Sequence, residues 1–313
     1  MENVKKIISY NGEELSLINL PMNVTGFSEF LSSWILRSGS ETVLVDCGVS
    51  GSYSHLKAAL DSLGAKPDLL MLTHIHLDHS GATGRLCRDF PGMKVFCFER
   101  AAKHLISPQK LWMATAATLG EDVSAAYQEP LPVPQEQIIA RTELPQCWKV
   151  IDTPGHATHH VSFLRNFAGK RICFGGEALG VFAGEGVTHW FTDGRDRSGL
   201  RPATPPKYYP EIGRASMRLL ANEKWDIFCA AHYGPSTDKK LPERALRQSE
   251  LWEKTIIGAL KDGLGEDEIV QLMLNVDPEL ADIAFYTPDN KEREVYFLHN
   301  SVRGFVQYLT SQK

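Results

Sequence analysis

The sequence of 313 residues predicts an α/β domain followed by a helical C-terminal segment. Short apolar runs alternate with helical stretches up to about residue 231, and the earliest of them form βαβ units. From residue 242 onward, apolar residues recur at helical spacing instead. With 43% hydrophobic residues, a chain of this length can fill one large core and support a smaller appendage.

The predicted elements follow the chain in order. Helices are predicted over 53–63 and 79–90, and a helical insertion over about 103–134 ends in the proline-rich stretch EPLPVP. Apolar, β-branched runs predict strands at 30–36, 42–46, 69–73, 93–98, 147–153, 160–166, 171–177 and 226–231. The sheet-forming part is expected to end with the last of these. We therefore expect one domain over 1–240 and a helical C-terminal extension over 241–313.

Composition excludes several classes of protein. The formal net charge of −5 and the scattered Lys and Arg residues give no basic surface for nucleic acid. The charged N-terminus has no apolar core typical of a signal peptide, and no later run approaches a membrane span. Six cysteines without a C-x-x-C pair indicate buried free thiols. We expect a cytoplasmic protein that acts on a small molecule, with a homodimer as an open possibility.

The stretch LTHIHLDHSG, residues 72–81, follows a predicted buried strand and crowds chemically active side chains. His74 and His76 stand two residues apart and face the same way in an extended chain, while Asp78 and His79 come from the following turn. Imidazole nitrogens and carboxylate oxygens suit a borderline divalent metal. A solvated polar loop is the alternative, but this density of ligands favours metal binding.

The pattern H-x-H-x-D-H at a strand end resembles the signature of the metallo-β-lactamase superfamily, and further motifs extend the resemblance over about residues 15–235. TVLVDCG resembles its first motif and DTPGHATHHVSF its third. CFGGEALG stands at its fourth motif, and AAHYGP resembles its last. The resemblance implies a four-layer αββα sandwich. TPGHATHH and the helical extension resemble the glyoxalase II-like hydrolases of this superfamily.

The resemblance also implies the ligands of a dinuclear site. It assigns His74, His76 and His156 to the first ion, Asp78, His79 and His232 to the second, and Glu177 to a position between them. Two divalent ions would activate a shared water and polarise a substrate oxygen. Asp78 would also orient the water or accept its proton. Zinc is the favoured metal, with iron and manganese as alternatives.

Glu177 departs from the family pattern, which places Asp at this position. The extra methylene lengthens the side chain by roughly 1.5 Å, one carbon–carbon bond. Three arrangements stay open: a Glu bridge between two ions, a Glu that holds one ion, and a weakly held second ion. Asp193 in FTDGRD is the fallback carboxylate, although its loop composition favours a solvated side chain.

Other polar residues near the motifs have two interpretations each. Asp46 either supports a ligand imidazole through a hydrogen bond or caps a turn before Gly48. Tyr233 either donates to a developing oxyanion or packs under its loop. His159 and His160 are expected to have supporting structural roles, since alternate side chains of a strand face opposite sides.

The segment 180–210 is long for a connection and is expected to form one wall of a substrate pocket. Its aromatic residues would make that wall apolar: Phe182, Trp190, Phe191, Tyr208 and Tyr209. Arg195, Arg197 and Arg201 would attract an anionic group of the substrate, unless they are solvated. The insertion would supply the opposite wall, with Trp112 and Met113 as candidates.

Three functions follow from these motifs. The first is a metal-dependent hydrolase with a dinuclear site that acts on a small ester, thioester or lactone. The second, also represented in the superfamily, is an iron-dependent oxidoreductase of the persulfide dioxygenase or di-iron kind. The third is a metal-binding protein without turnover, in which Glu177 disables the bridge. The acidic net charge disfavours the nuclease branch.

Overall fold

Two β-sheets face each other in the protein, and helices cover their outer surfaces. The computed structural model describes residues 3–39, 41–206 and 208–311. Within these ranges the layers follow the order αββα, which confirms the predicted fold class.

The first sheet runs from β1 to β7 in chain order within the described residues. Its strands are β1 (Val4–Tyr10), β2 (Glu13–Asn19), β3 (Ser32–Ser38), β4 (Glu41–Val45), β5 (Leu69–Met71), β6 (Lys94–Phe96) and β7 (Ile138–Ile139). The pairs from β1 to β4 are antiparallel and those from β4 to β7 are parallel. Because both faces of the parallel part are covered, β5 is an unbroken buried apolar run.

The hairpin of β1 and β2 is absent from the sequence-based prediction. Its two-residue turn is Asn11-Gly12, and both residues have positive φ, 50° and 80°. Asn-Gly with these dihedrals is a strong sequence signal for a hairpin, because it matches the twist of the flanking strands. The signal is present in the sequence, and the hairpin could have been predicted from it.

The second sheet has the order β12-β11-β10-β9-β8. Its strands are β8 (Lys149–Asp152), β9 (Val161–Phe167), β10 (Lys170–Gly176), β11 (Ile227–Ala230) and β12 (Pro235–Ser236). The short β12 lies beyond residue 231, so the expected end of the sheet-forming part is wrong by one strand. The register of β10 against β11 shifts between Phe174 and Gly176, immediately before Glu177.

Aromatic side chains fill the space between the two sheets. Trp34 of β3 contacts Phe174 of β10, with ring centroids 6.3 Å apart. Phe96 of β6 contacts Phe163 of β9 at 5.8 Å. The Trp34 indole also donates a 2.8 Å hydrogen bond to the Ala230 carbonyl. These contacts bury large apolar surfaces and fix the two sheets relative to each other.

Helices of the described chain occupy the outer layers, the insertion and the C-terminal segment. They are α1 (Tyr53–Ser62), α2 (Leu77–Ser80), α3 (Thr83–Asp89), α4 (Ala102–Ile106), α5 (Gln109–Leu119), α6 (Glu121–Tyr127), α7 (Pro210–Asn222), α8 (Leu241–Lys261), α9 (Glu266–Val276) and α10 (Pro288–Ser311). Helix α7 was not predicted, although Pro at its first position and the buried spacing 213, 216, 217, 220 are helical signals.

The predicted C-terminal extension contains α8, α9 and α10, and residues 312 and 313 lie outside the described residues. Helix α8 packs on the second sheet, where Leu241 and Ala245 join an apolar cluster with Met217 of α7 and Phe228 of β11. The division into domains at residue 240 stays a prediction. None of the helices in the described ranges combines the length and apolar character that a membrane span requires.

Candidate metal centre

The residues of the 72–81 motif lie at the carboxyl end of β5. The strand ends at Met71, so His74 and His76 lie in the loop that follows it and not on the strand itself. Asp78 and His79 belong to the short helix α2. The change from strand to helix within five residues turns these side chains toward one region, where His156, Glu177 and His232 also lie.

The first set of donor atoms consists of three imidazoles and one carboxylate. His76 Nδ1 lies 3.1 Å from His74 Nε2 and 2.9 Å from His156 Nε2. Glu177 Oε2 is 2.9 Å from His156 Nε2 and 3.5 Å from His74 Nε2. An ion about 2.0–2.1 Å from four tetrahedral donors places them about 3.3 Å apart. These separations therefore fit a tetrahedral site.

The second set consists of Asp78, His79 and His232. Asp78 Oδ2 is 3.3 Å from His79 Nε2 and 3.6 Å from His232 Nε2. The three donor atoms lie within 4.8 Å of one another, so they too can surround one small cation.

Glu177 contacts both sets with different oxygens. Its Oε2 faces His156 of the first set and lies 3.4 Å from His79 of the second. Its Oε1 lies 3.4 Å from His232 Nε2. The longer side chain therefore reaches the position between the two sets. Asp193, the fallback carboxylate, forms a 2.6 Å ion pair with Arg197 and belongs to neither set.

Proton positions in the first set indicate that a cation is needed there. The Thr73 hydroxyl donates to Asp46, so its oxygen accepts from Nδ1 of His74 at 3.1 Å. Nδ1 of His156 donates to the Ala203 carbonyl at 3.0 Å. The Nε2 atoms of His74 and His156 then carry no proton and act as acceptors. Both face Nδ1 of His76, and the carboxylate of Glu177 lies beside them. One proton on His76 cannot satisfy all of these acceptors, whereas a divalent metal ion does.

The second set of donors also requires a cation. His79 is buried, and its Nε2 makes no hydrogen bond of good geometry to a described residue. A buried ring nitrogen without a hydrogen bond is costly unless it binds a ligand. The chemistry of both donor sets therefore fits divalent metal ions.

Asp46 and Thr73 contact the Nδ1 atoms of His79 and His74, one imidazole in each set. Asp46 Oδ2 lies 3.3 Å from His79 Nδ1, and Asp46 Oδ1 accepts a 2.8 Å hydrogen bond from the Thr73 backbone N–H. Asp46 is buried and adopts a φ of 57°, which is uncommon outside glycine and costs of order 1–3 kcal/mol. This position favours support of a ligand imidazole over a turn cap, but the contact with His79 Nδ1 lacks hydrogen-bond geometry and the role of Asp46 stays a prediction. Thr73 was missed because nothing in a lone threonine signals this contact.

His160 holds the backbone of Glu177. Its Nε2 accepts a 3.2 Å hydrogen bond from the Glu177 N–H, and its Nδ1 donates to Thr153 Oγ1 at 2.8 Å. Burial lowers the pKa of His160, so the ring stays neutral and keeps this acceptor. His159 makes no such contact and its Nε2 lacks a hydrogen bond among the described residues.

The charge states of four of the buried donors suit metal binding. His79 differs, because burial would lower its pKa but Asp78, Asp46 and Glu177 raise it. Burial lowers the pKa of His76 to about 3 and lowers that of His74 as well, so both imidazoles are neutral. Burial alone would raise the pKa of Glu177, but His156 and His232 lower it below its usual range. For Asp78, likewise, His79 and His232 outweigh burial and lower the pKa. Neutral imidazoles and ionised carboxylates are the forms that bind metals.

A cavity of about 20 Å³ adjoins His156 and Glu177, with room for one water molecule. Tyr208 lines it from the 180–210 segment, and Gln248 and Ser249 line it from α8. The other aromatic residues predicted for the pocket wall do not line it. Phe182, Trp190 and Phe191 pack into the core, and Tyr209 is largely exposed.

The arginines of this segment do not supply the charge expected of them. Arg201 is only 4% exposed and forms a 2.5 Å ion pair with Glu294. Arg197 pairs with Asp193 at 2.6 Å and with Asp282 at 3.0 Å. The expectation of a free cationic wall is therefore wrong for these two residues. That the substrate is anionic stays a prediction, and Arg197 and Arg201 do not support it.

Tyr233 follows His232 but turns toward a different partner. Its hydroxyl lies 3.5 Å from Glu29 Oε1, and its ring contacts Trp190 at 6.3 Å. His232 itself is held by Phe30, whose ring stacks on the imidazole with centroids 4.2 Å apart. The oxyanion role of Tyr233 stays a prediction, and it would require the hydroxyl to leave Glu29.

Comparison with known proteins agrees with this geometry. The family model of the metallo-beta-lactamase superfamily matches residues 29–220. The chain therefore belongs to this superfamily. The metallo-beta-lactamase fold-containing protein ST1585 of Sulfurisphaera tokodaii is 26% identical over 241 residues, which cover 74% of this chain and 83% of that protein. Its crystal structure superimposes with a TM-score of 0.63 over 93% of this chain and 98% of that one, at 23% identity.

Two further relatives match only part of their length. The "Probable metallo-hydrolase MJ0888" of Methanocaldococcus jannaschii is 28% identical over 46% of this chain and 66% of its own length. The hydroxyacylglutathione hydrolase of an Enterobacter species is 26% identical over 50% of this chain and 53% of its own length. The chain thus spans less than two-thirds of both proteins, and the resemblance to glyoxalase II-like hydrolases is weak.

Proposed function

We propose that the protein is a metal-dependent hydrolase that acts on a small ester, thioester or lactone at a dinuclear site. The observation that carries this proposal is the position of Glu177, whose Oε2 lies 2.9 Å from His156 and whose Oε1 lies 3.4 Å from His232. One carboxylate between two donor sets is suited to hold two ions at a short distance from each other.

When bound, two divalent ions supply a polarised substrate oxygen and a water of lowered pKa. The residues of the chain orient the reactants around them. Asp78 Oδ2 belongs to the second set, whereas its Oδ1 makes no hydrogen bond within the described ranges. Since Asp78 is also partly exposed, its free oxygen can orient a water or accept its proton.

Support for hydrolysis also comes from relatives. One of them is named a probable metallo-hydrolase and another a hydroxyacylglutathione hydrolase. We propose zinc as the metal, since three imidazoles and a carboxylate suit it, with iron and manganese as alternatives. The partner would be a small molecule and not nucleic acid, in keeping with a net charge of −5.

The proposal is tested with metal-depleted protein reconstituted separately with zinc, manganese or ferrous iron. Each form is assayed against phenyl acetate, an acyl thioester, a lactone and a phosphodiester. We expect metal-dependent hydrolysis of at least one of the first three compounds. Oxygen consumption by the iron form without any hydrolysis would replace the proposal with the oxidoreductase alternative.

A further inference from the structure

His232 differs from other imidazoles of the centre in how its ring is held. Nδ1 of His74 donates to the Thr73 hydroxyl oxygen at 3.1 Å. Nδ1 of His156 donates to the Ala203 carbonyl at 3.0 Å. Nδ1 of His232 is buried and has no hydrogen-bond partner among the described residues. Metal-binding imidazoles usually donate from their second nitrogen, which fixes the orientation of the ring. The orientation of His232 therefore depends on a different kind of contact.

Phe30 supplies that contact. Its ring lies on the His232 imidazole with centroids 4.2 Å apart and ring planes only 9° from parallel. Phe30 is 1% exposed, and the next residue, Leu31, forms a β-bridge with His232. Rotation of the imidazole about its Cβ–Cγ bond would drive ring atoms into the phenyl ring. The stack therefore fixes the plane in which Nε2 faces Asp78 and Glu177.

Arg293 of α10 lies against Phe30 in turn. Its guanidinium carbon is 4.3 Å from the centroid of the Phe30 ring and 4.3 Å from that of Trp190. Arg293 is buried, and its Nη1 donates to the Gly26 carbonyl and to Asn290 Oδ1. A guanidinium over an aromatic ring binds more strongly when both are shielded from water. The C-terminal helix is thus joined to the His232 stack through a buried cation.

The segment before Phe30 packs on α10 without room for a side chain. A β-carbon at Gly26 would lie 2.6 Å from the Asp289 carbonyl oxygen and 2.8 Å from Arg293 Cβ. Gly26 also has a φ of 78°, which other residues rarely adopt. Glycine at this position therefore permits the close approach that places Arg293 over Phe30.

We propose that Phe30 is a positioning residue for His232, and that Arg293 of α10 holds Phe30 in place. The C-terminal extension thereby sets how tightly the ion of Asp78, His79 and His232 is bound. This inference rests on the dinuclear site of the proposed function, but not on its substrate. It gives α10 a role in metal binding, although that helix supplies no residue to either donor set.

The test is a stepwise zinc titration of metal-depleted Phe30→Leu and wild type by calorimetry. Phe27→Leu is the matched control, because Phe27 is also buried and contacts Phe30 with centroids 5.1 Å apart, but makes no ring contact with a donor in the described ranges. We expect Phe30→Leu to weaken one zinc-binding event roughly 10- to 100-fold, as for other groups that orient metal ligands, and the other event far less. The visible absorption of the cobalt(II) form should change as well. Phe27→Leu should match the wild type in both measurements.

Arg293→Met tests the contribution of α10, and it decides the inference if Phe30→Leu does not fold. The substitution leaves Arg201 paired with Glu294, so the remaining buried charges balance. We expect it to weaken the same zinc-binding event about tenfold, the low end of that range.

Wild-type affinities in Phe30→Leu, or equal weakening of both binding events, would overturn the role of Phe30. Wild-type affinities in Arg293→Met would overturn the role of α10. If the wild type binds two zinc ions but hydrolyses none of the compounds, the proposed function fails, and the zinc affinities still decide this inference.

Discussion

The imidazole of His160 accepts a hydrogen bond from the backbone N–H of Glu177 at 3.2 Å, and thereby fixes the residue that lies between the two donor sets. We predict that His160→Ala lowers metal affinity about 10- to 100-fold, as is typical when a group that orients metal ligands is removed. His159→Ala is the control, since His159 neighbours His160 but contacts no donor through a hydrogen bond. Competition with a fluorescent zinc chelator measures both affinities. Equal affinities of the two variants would contradict the role assigned to His160.

Asp46 gives a second prediction, because its carboxylate lies 3.3 Å from His79 Nδ1. Asp46→Asn keeps the shape of the side chain and tolerates the positive φ of 57°, but it removes the negative charge beside the imidazole. We expect the second ion to be bound roughly 10- to 100-fold more weakly, while the first, which Asp46 reaches only through Thr73, is weakened less. Stepwise zinc titration by calorimetry separates the two binding events. If only the first zinc-binding event were weakened, the assignment of Asp46 to the second set would be wrong.

The buried group of Arg201, Glu294 and Arg293 gives a prediction about stability. Glu294 accepts from Arg201 at 2.5 Å and from Arg293 at 2.9 Å, and all three side chains are buried. Glu294→Gln leaves two buried cations without their anion, so we expect a loss of about 3 kcal/mol in the free energy of unfolding at pH 7. Urea denaturation measures it, with Glu292→Gln on the exposed side of the same helix as control.

The same carboxylate makes stability depend on pH. Burial alone would raise the pKa of Glu294, but the two arginines lower it below the usual value. A lowered pKa in the folded state stabilises the protein above the unfolded pKa of about 4.3, and this contribution is lost as pH falls through the folded value. The stability gap between wild type and Glu294→Gln should therefore narrow below about pH 4.3. If the difference in unfolding free energy between the wild type and Glu294→Gln widened as the pH fell, the pairing of Glu294 with the two arginines would be contradicted.

Much of the fold is predictable from local sequence because its central strands are apolar on both faces. The strands around Val45, Met71 and Phe174 and the helix that begins at Tyr53 all form close to where the patterns place them. Helix α7 and the first hairpin show equally ordinary signals, so their absence from the prediction reflects an incomplete interpretation of the sequence and not a physical limit.

The candidate site is predictable only as far as residue types and motif spacing extend. The density of His and Asp residues in the 72–81 segment is enough to predict the metal donors within it. The Ala203 carbonyl that accepts from His156 could not be predicted, because any residue could provide a backbone carbonyl. Arg201 was misassigned because a sequence does not reveal that Glu294 neutralises it.

The most direct test of the dinuclear site is the metal content of Glu177→Gln beside that of the wild type, measured by elemental analysis together with turnover. The amide is neutral and bridges ions poorly, so we expect about two equivalents of metal in the wild type and about one in the variant, with activity falling alongside. Glu177→Asp should keep at least one ion but lose roughly 100-fold in rate, because a shift of about 1 Å misplaces the reacting groups. If Glu177→Gln instead retains both ions and full turnover, Glu177 does not bridge two metals and the account of this centre is wrong.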